Sequence, residues 1–204
     1  MSKCLIAGCF ALAALMGLSG CGGAAKYPNY YTLHVPPAPD PPAQEGVRTC
    51  LAVREFRSPT YLRQGAIVYK TSPEQIGFYN YHRWAVDPRE FVTNAVTERL
   101  RASGNFAQVK LYDGRSDIDY VLSGRLEKLE EVDYGGSIKV EVAISAQMTS
   151  LATGATVWTN EASEAGTVQQ RDVRAVVAEM SATMGRAIEK LLTPVPAAAG
   201  PQKN

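Results

Sequence analysis

Apolar and polar positions alternate along some stretches of the chain and recur at helical spacing along others. "YYTLHV" (30–35) is β-branched and aromatic and predicts a short first strand. In "VRTCLAVREF", Val47, Thr49, Leu51 and Val53 share one face, the two-residue period of a half-buried strand. "GAIVYKT" (65–71) and "QIGFYNYHRW" (75–84) predict a strand pair, entered through "SPTYLRQ", a turn that delivers Tyr61 and Leu62. Asp87-Pro88-Arg89-Glu90 then predicts a helix start. Asp87 can accept from first-turn amides, proline suits the first helical position, and Glu90 completes a D-x-x-E capping box. Phe91, Val92, Ala95, Val96 and Leu100 follow at helical spacing, and Gly104 closes the helix near Ser103.

After a strand from Phe106 to Tyr112, "DYVLSGRLEKLEEV" and "GSIKVEVAISAQMTSL" predict a long strand pair across "DYGG". Val140, Val142 and Ile144 make the inward face of the second strand. A tight turn at Ala152-Thr153-Gly154 adds one more strand, "ATGATVWTNEASEAG", so the three form a meander. A helix from about Arg171 to Leu192 closes the domain, with Val176, Met180, Met184, Ile188 and Leu191 on one broad stripe. The expected fold is α/β: a single domain with a mixed sheet of five to six strands packed with two amphipathic helices. "PPAPDPPAQEG" (36–46), with five prolines in eleven residues, cannot continue a sheet and predicts a stiff connector.

The ends carry an expectation about the cell compartment. Lys3 is followed by an apolar run from Cys4 to Leu18 that is too short to span a bilayer, as in a secretory signal. The run ends in "LSGC", which resembles the lipobox of bacterial lipoproteins. That resemblance implies removal of residues 1–20 and lipidation of Cys21. Gly at position 22, in place of the aspartate that retains enteric lipoproteins at the inner membrane, implies the periplasmic face of the outer membrane. Residues 21–29 would then be the tether, 30–192 the folded domain and 193–204, rich in Pro and Ala without periodicity, a disordered tail.

Processing alters the chemistry available. Cys4 and Cys9 leave with the signal, so Cys50 has no cysteine partner other than the lipidated Cys21. Lys3 is the one charge lost, leaving 20 basic against 20 acidic residues. That balance argues against a nucleic-acid partner, which depends on counterion release. Neither His34 nor His82 has a second ligand at zinc spacing, and there is no H-E-x-x-H, C-x-x-C, P-loop or G-x-S-x-G motif. The expectation is a protein without catalytic residues, metal or cofactor. Glu127, Glu130, Glu131 and Asp133 cluster near the hairpin tip, where a charged run is expected to be solvated.

The stretch "GFYNYHRWAVDP" concentrates aromatic side chains beside a cation. Such a composition serves a stacking platform, a sugar clamp, a lipid-facing lip or a strand running into a helix cap. Strict alternation places Ile76, Phe78 and Trp84 on one face and Tyr79, Tyr81 and Arg83 on the other. Trp84, with the Asp87 cap, is then the anchor that fixes the helix entry. Tyr79, Tyr81 and Arg83 are the candidate partner-binding residues, since tyrosine and arginine are enriched at interface hot spots.

In order along the chain, "YYTL", "YLRQGAIVYKT", "YHRWAVDP", "DYVLSGRL", "TSLATGATVWT" and the final amphipathic helix resemble the ABC-type transport auxiliary lipoproteins, the PqiC-like family. That family usually has an acidic residue two positions after the tryptophan; this chain has Val86, and Asp87 takes the helix-start role. The resemblance implies an outer-membrane lipoprotein docking an MCE-domain protein and an inner-membrane permease or ABC component. It also implies transport of lipid or another hydrophobic compound between membranes, with a homo-oligomeric ring as one assembly. A lipid- or glycan-binding carrier and an accessory subunit of a secretion assembly share the tether and the style of fold.

Overall fold

The computed structural model describes residues 26–37, 49–114, 117–193 and 195. The signal, Cys21, most of the tether, the connector beyond Pro37 and most of the tail lie outside the described residues. The elements run β1 (Asn29–Tyr31), β2 (Cys50–Val53), a 3-10 turn (Thr60–Gln64), β3 (Ala66–Ser72), β4 (Gln75–Trp84), helix α1 (Pro88–Ala102), β5 (Gln108–Leu111), β6 (Tyr120–Tyr134), β7 (Ser137–Ser150), β8 (Thr156–Thr167) and helix α2 (Val173–Leu192).

All eight strands join one mixed sheet, which corrects the expected five to six. The reason lies in β6. At 15 residues it is long enough to pair with two short strands placed end to end. β2 runs parallel to it at Tyr120–Leu122, and β3 runs parallel to it at Glu131 and Val132. Beyond β2 lies β5; beyond β3 lie β4 and then β1. On its other side β6 pairs antiparallel with β7 along its length, and β7 with β8, which is the expected meander. Gly135 and Gly136 both take positive φ (79° and 90°), as a two-residue hairpin turn requires.

The two-residue period decides which face is covered. Ile138, Val140, Val142, Ile144, Ala146 and Met148 of β7 are all buried. Against them and β8 packs the α2 stripe of Val176, Met180, Met184, Ile188 and Leu191. Fully burying each such side chain contributes about 1.5–3 kcal/mol. Asp172 caps α2, its Oδ1 accepting from the amides of Arg174 at 2.8 Å and Ala175 at 3.0 Å. Helix α1 buries Val92, Val96 and Leu100. Its Thr93 hydroxyl accepts from the Phe56 amide at 2.9 Å, tying the helix to the chain after β2. The Phe56 ring fills the space where a side chain on Gly124 would stand.

The segment after β1 runs beside both helices. The His34 amide donates to Ser181 Oγ at 3.1 Å, and Arg99 donates to the Pro36 carbonyl at 3.1 Å while pairing with Glu189 at 3.3 Å. At the other end, Val195 is buried and its amide donates to the Leu192 carbonyl at 3.0 Å. The opposite face of the sheet carries polar side chains, among them Arg125 on β6 and Gln147 on β7, both exposed.

Candidate functional site

Strand β4 carries the aromatic stretch, and its pairing with β3 is irregular. Val68 faces Phe78 and Ala66 faces Arg83, so two residues of advance in β3 match five in β4. The extra residues form a bulge, and a bulge re-aims the side chains that follow it. Phe78 and Arg83 therefore share a face, and Trp84 turns to the other. The division of faces expected from strict alternation is corrected accordingly: Tyr79 parts from Arg83, and Trp84 parts from Phe78.

On the helix-covered face, Trp84 is 7% exposed and belongs to the core. Its amide donates to the Gly65 carbonyl at 2.8 Å, and Tyr31 of β1 lies beside it in register. Asp87 caps α1 as expected, its Oδ1 accepting from the Arg89 amide at 2.9 Å. The reciprocal partner is Arg89, whose guanidinium meets the same carboxylate at 2.7 Å; Glu90 lines a groove on the outer side of the helix instead. Burial alone would raise the Asp87 pKa, but the hydrogen bonds and charge of Arg89 hold it below the usual value.

Tyr79 is half-buried and donates to Glu131 Oε2 at 2.8 Å. Its ring lies 4.9 Å from Tyr69 and meets His82 edge-on at 5.6 Å, while the Tyr31 hydroxyl and His82 Nδ1 are 2.8 Å apart. Burial, followed by the bond to Glu131, pushes the Tyr79 hydroxyl well above its ordinary value. Glu131 is only 3% exposed; burial raises its pKa, partly opposed by the bond from Tyr79. Glu130, on the other face, is 2% exposed and lies under the Tyr61 hydroxyl (3.3 Å) and the Lys70 ammonium (3.8 Å). Burial and then Glu130 push the Tyr61 pKa up to about 12.

The acidic run near the hairpin is thus not solvated throughout, which corrects that expectation. A bulge at Leu126–Lys128 turns the strand, and the tyrosines of the 3-10 turn and β4 close over the two glutamates. Sequence reasoning missed this polar layer. Nothing in the sequence pattern pointed the tyrosines of the 3-10 turn and β4 toward the acidic run.

Of the three candidate docking residues, Tyr81 is the accessible one, 39% exposed, with the Lys26 ammonium 4.5 Å from its ring centroid. Arg83 is half-buried and donates to the Gln64 carbonyl at 2.8 Å. The site is therefore a tyrosine and a lysine at the β1–β4 edge, on the strand that also carries the Tyr79–Glu131 bond. A separate open groove of about 630 Å³ runs between residues 32–37 and α1, bordered by Val35, Pro36, Val86, Phe91 and Ala95. Cys50 is a half-buried free thiol whose amide donates to Asp119 at 2.8 Å. Among the described residues no three His, Cys, Asp or Glu side chains are placed to hold a metal ion, and no helix is long and apolar enough to cross a membrane.

Residues 31–191 match the family model described as the ABC-type transport auxiliary lipoprotein component. The chain belongs to this family. The fold of this auxiliary lipoprotein is similar to that of protein XCC0632 from Xanthomonas campestris, with a TM-score of 0.69 at 18% identity, covering 80% of this chain and 92% of that one. A second similar structure, of an uncharacterized protein, gives a TM-score of 0.65 at 15% identity over 83% of this chain and 99% of that one. The hypothetical protein CT253 from Chlamydia trachomatis gives 0.51 at 8% identity over 73% and 96%. At these identities the likeness shows the fold. No curated protein matches the sequence. Val86 is exposed and borders the groove.

Proposed function

We propose that this auxiliary lipoprotein is a non-catalytic docking component, anchored through lipidated Cys21 to the periplasmic face of the outer membrane. It receives an MCE-domain protein that works with an inner-membrane permease or ABC component to move lipid or another hydrophobic compound. A homo-oligomeric ring belongs to the same reading. The observation that carries it is the family match across residues 31–191. The position of β1 supports it: Asn29 stands eight residues beyond Cys21, so the tether spans at most about 30 Å and holds the domain near the membrane. Tyr81, exposed at the sheet edge, is the proposed contact, with Arg83 beside it.

Crosslinking in membranes that contain the MCE-domain protein tests this. Capture by the wild type and weaker capture by Tyr81→Ala are expected; no capture in repeated trials would sink the docking role. The groove beside α1 favours one second reading, a lipid or glycan carrier. Mass spectrometry of organic extracts decides between them: stoichiometric bound lipid supports the carrier, and its absence supports docking.

A further inference from the structure

The polar face of the sheet, away from the helices, holds a cleft that docking at Tyr81 does not use. It is open to solvent, has a volume of about 420 Å³, and is bordered by Arg54, Glu55 and Arg57 after β2, Ser123 and Arg125 on β6, and Ser145 and Gln147 on β7. The register places Arg125 opposite Ser145 and Ser123 opposite Gln147, so these groups form two adjacent rungs. A backbone bridge pairs Arg57 with Arg125 on the parallel side, the Arg57 amide donating to the Gly124 carbonyl at 2.9 Å and the Leu126 amide to the Arg57 carbonyl at 2.8 Å, so both side chains leave the same face of the sheet. Like charges placed directly opposite repel, and the arrangement is relieved by an anion between them.

Resident carboxylates compensate only in part. Glu127 accepts from Arg125 Nε at 2.8 Å and from Ser145 Oγ at 3.0 Å. Glu55 is turned toward Arg89 at 3.7 Å, and Glu161 lies across from Ser145 on β8. The Arg54 guanidinium lies over the Tyr112 ring, 4.4 Å from its centroid, a cation–π contact. Among the described residues, Arg57 has no carboxylate within 4.0 Å.

We propose that this cleft binds a phosphate group, carried either by a phospholipid headgroup or by a soluble phosphoester. Guanidinium forks match phosphate oxygens two at a time, and a phosphate has enough oxygens for more than one fork. A single carboxylate is satisfied by one. The Ser123 hydroxyl and the Gln147 amide supply neutral donors on the same rungs, while the Ser145 proton is held by Glu127. The proposal goes beyond the docking role and does not depend on it.

The test titrates the full chain with inorganic phosphate, glycerol 3-phosphate and monomeric short-chain phosphatidylglycerol, using chloride as the ionic-strength control. Arginine Nε–H signals are followed by NMR and affinity by calorimetry. Saturable shifts at Arg57 and Arg125 are expected with at least one probe. Affinity should fall about tenfold in a folded Arg57→Gln variant, the loss of one charge-assisted hydrogen bond. Arg186→Gln, on α2, should leave it unchanged. A response to glycerol 3-phosphate equal to that of the lipid identifies a soluble phosphoester; a response to the lipid alone identifies a headgroup. No saturable shift with any probe, or unchanged affinity in Arg57→Gln, overturns the proposal. Capture of the MCE-domain protein is read separately, so the two proposals fail independently.

Discussion

Replacing Tyr79 with phenylalanine removes one oxygen and leaves the ring packed against Tyr69 and His82, so it isolates the bond to Glu131. Glu131 is only 3% exposed, and water does not readily replace the lost donor. A hydrogen bond to a buried charged group contributes roughly 1.5–3 kcal/mol, and that is the expected loss at neutral pH. The sign with pH follows from Glu131. Its folded pKa is raised by burial above the ordinary 4.5, so the folded state holds the proton more tightly than the unfolded chain. The associated stability is fully present below 4.5 and is lost as pH rises through the folded pKa. Removing the Tyr79 hydroxyl takes away the interaction that favours the carboxylate, which raises that pKa further. Tyr79→Phe should therefore be more destabilising near pH 7 than in acid, where a neutral pair loses only about 1 kcal/mol. Urea denaturation of both proteins at two pH values measures the difference. Glu131→Gln, which keeps an acceptor and drops the charge, should flatten the pH dependence. An equal cost of Tyr79→Phe at both pH values, or a cost below about 0.5 kcal/mol, would refute the role given to this pair.

Trp84→Ala should cost about 3–5 kcal/mol in denaturant titration, because the ring is in the core. Tyr81→Ala should stay within about 0.5 kcal/mol of wild type in the same assay while reducing partner capture, as befits an exposed ring. Asp87→Ala should lose about 0.5–2 kcal/mol through the missing cap of α1, visible as a lower melting temperature. Gly124→Ala drives a methyl into the Phe56 ring and should cost about 1–3 kcal/mol. Pairing it with Phe56→Leu should recover part of that loss, and no recovery would discount the contact.

Much of this fold is legible locally. The D-P-R-E start places α1 within a residue, because a cap, a proline and a helical stripe act over one or two turns. The β6–β7–β8 meander is legible because sequential strands joined by short glycine turns pair with their neighbours. The candidate site was only half legible. The burial of Trp84 agrees with the face expected for an apolar ring, whereas the exposure of Tyr81 and the orientations of Tyr79 and Arg83 depend on the irregular pairing of β4 with β3. The cleft at Arg57 was invisible, since its bridge to Arg125 joins residues 68 positions apart.

The sequence by itself determined most strand and helix segments, the Asp87 cap, the family and the absence of any recognisable catalytic motif, all set by contacts within a few residues or by ordered motifs. Tertiary structure alone decided that β2 and β3 share β6 as a common partner, and that Glu130 and Glu131 are buried beneath tyrosines. It also decided that three arginines meet on one face. Each of these depends on which distant strands pair and in which register. A shift of one residue would turn every side chain to the opposite face, and no local pattern records that choice.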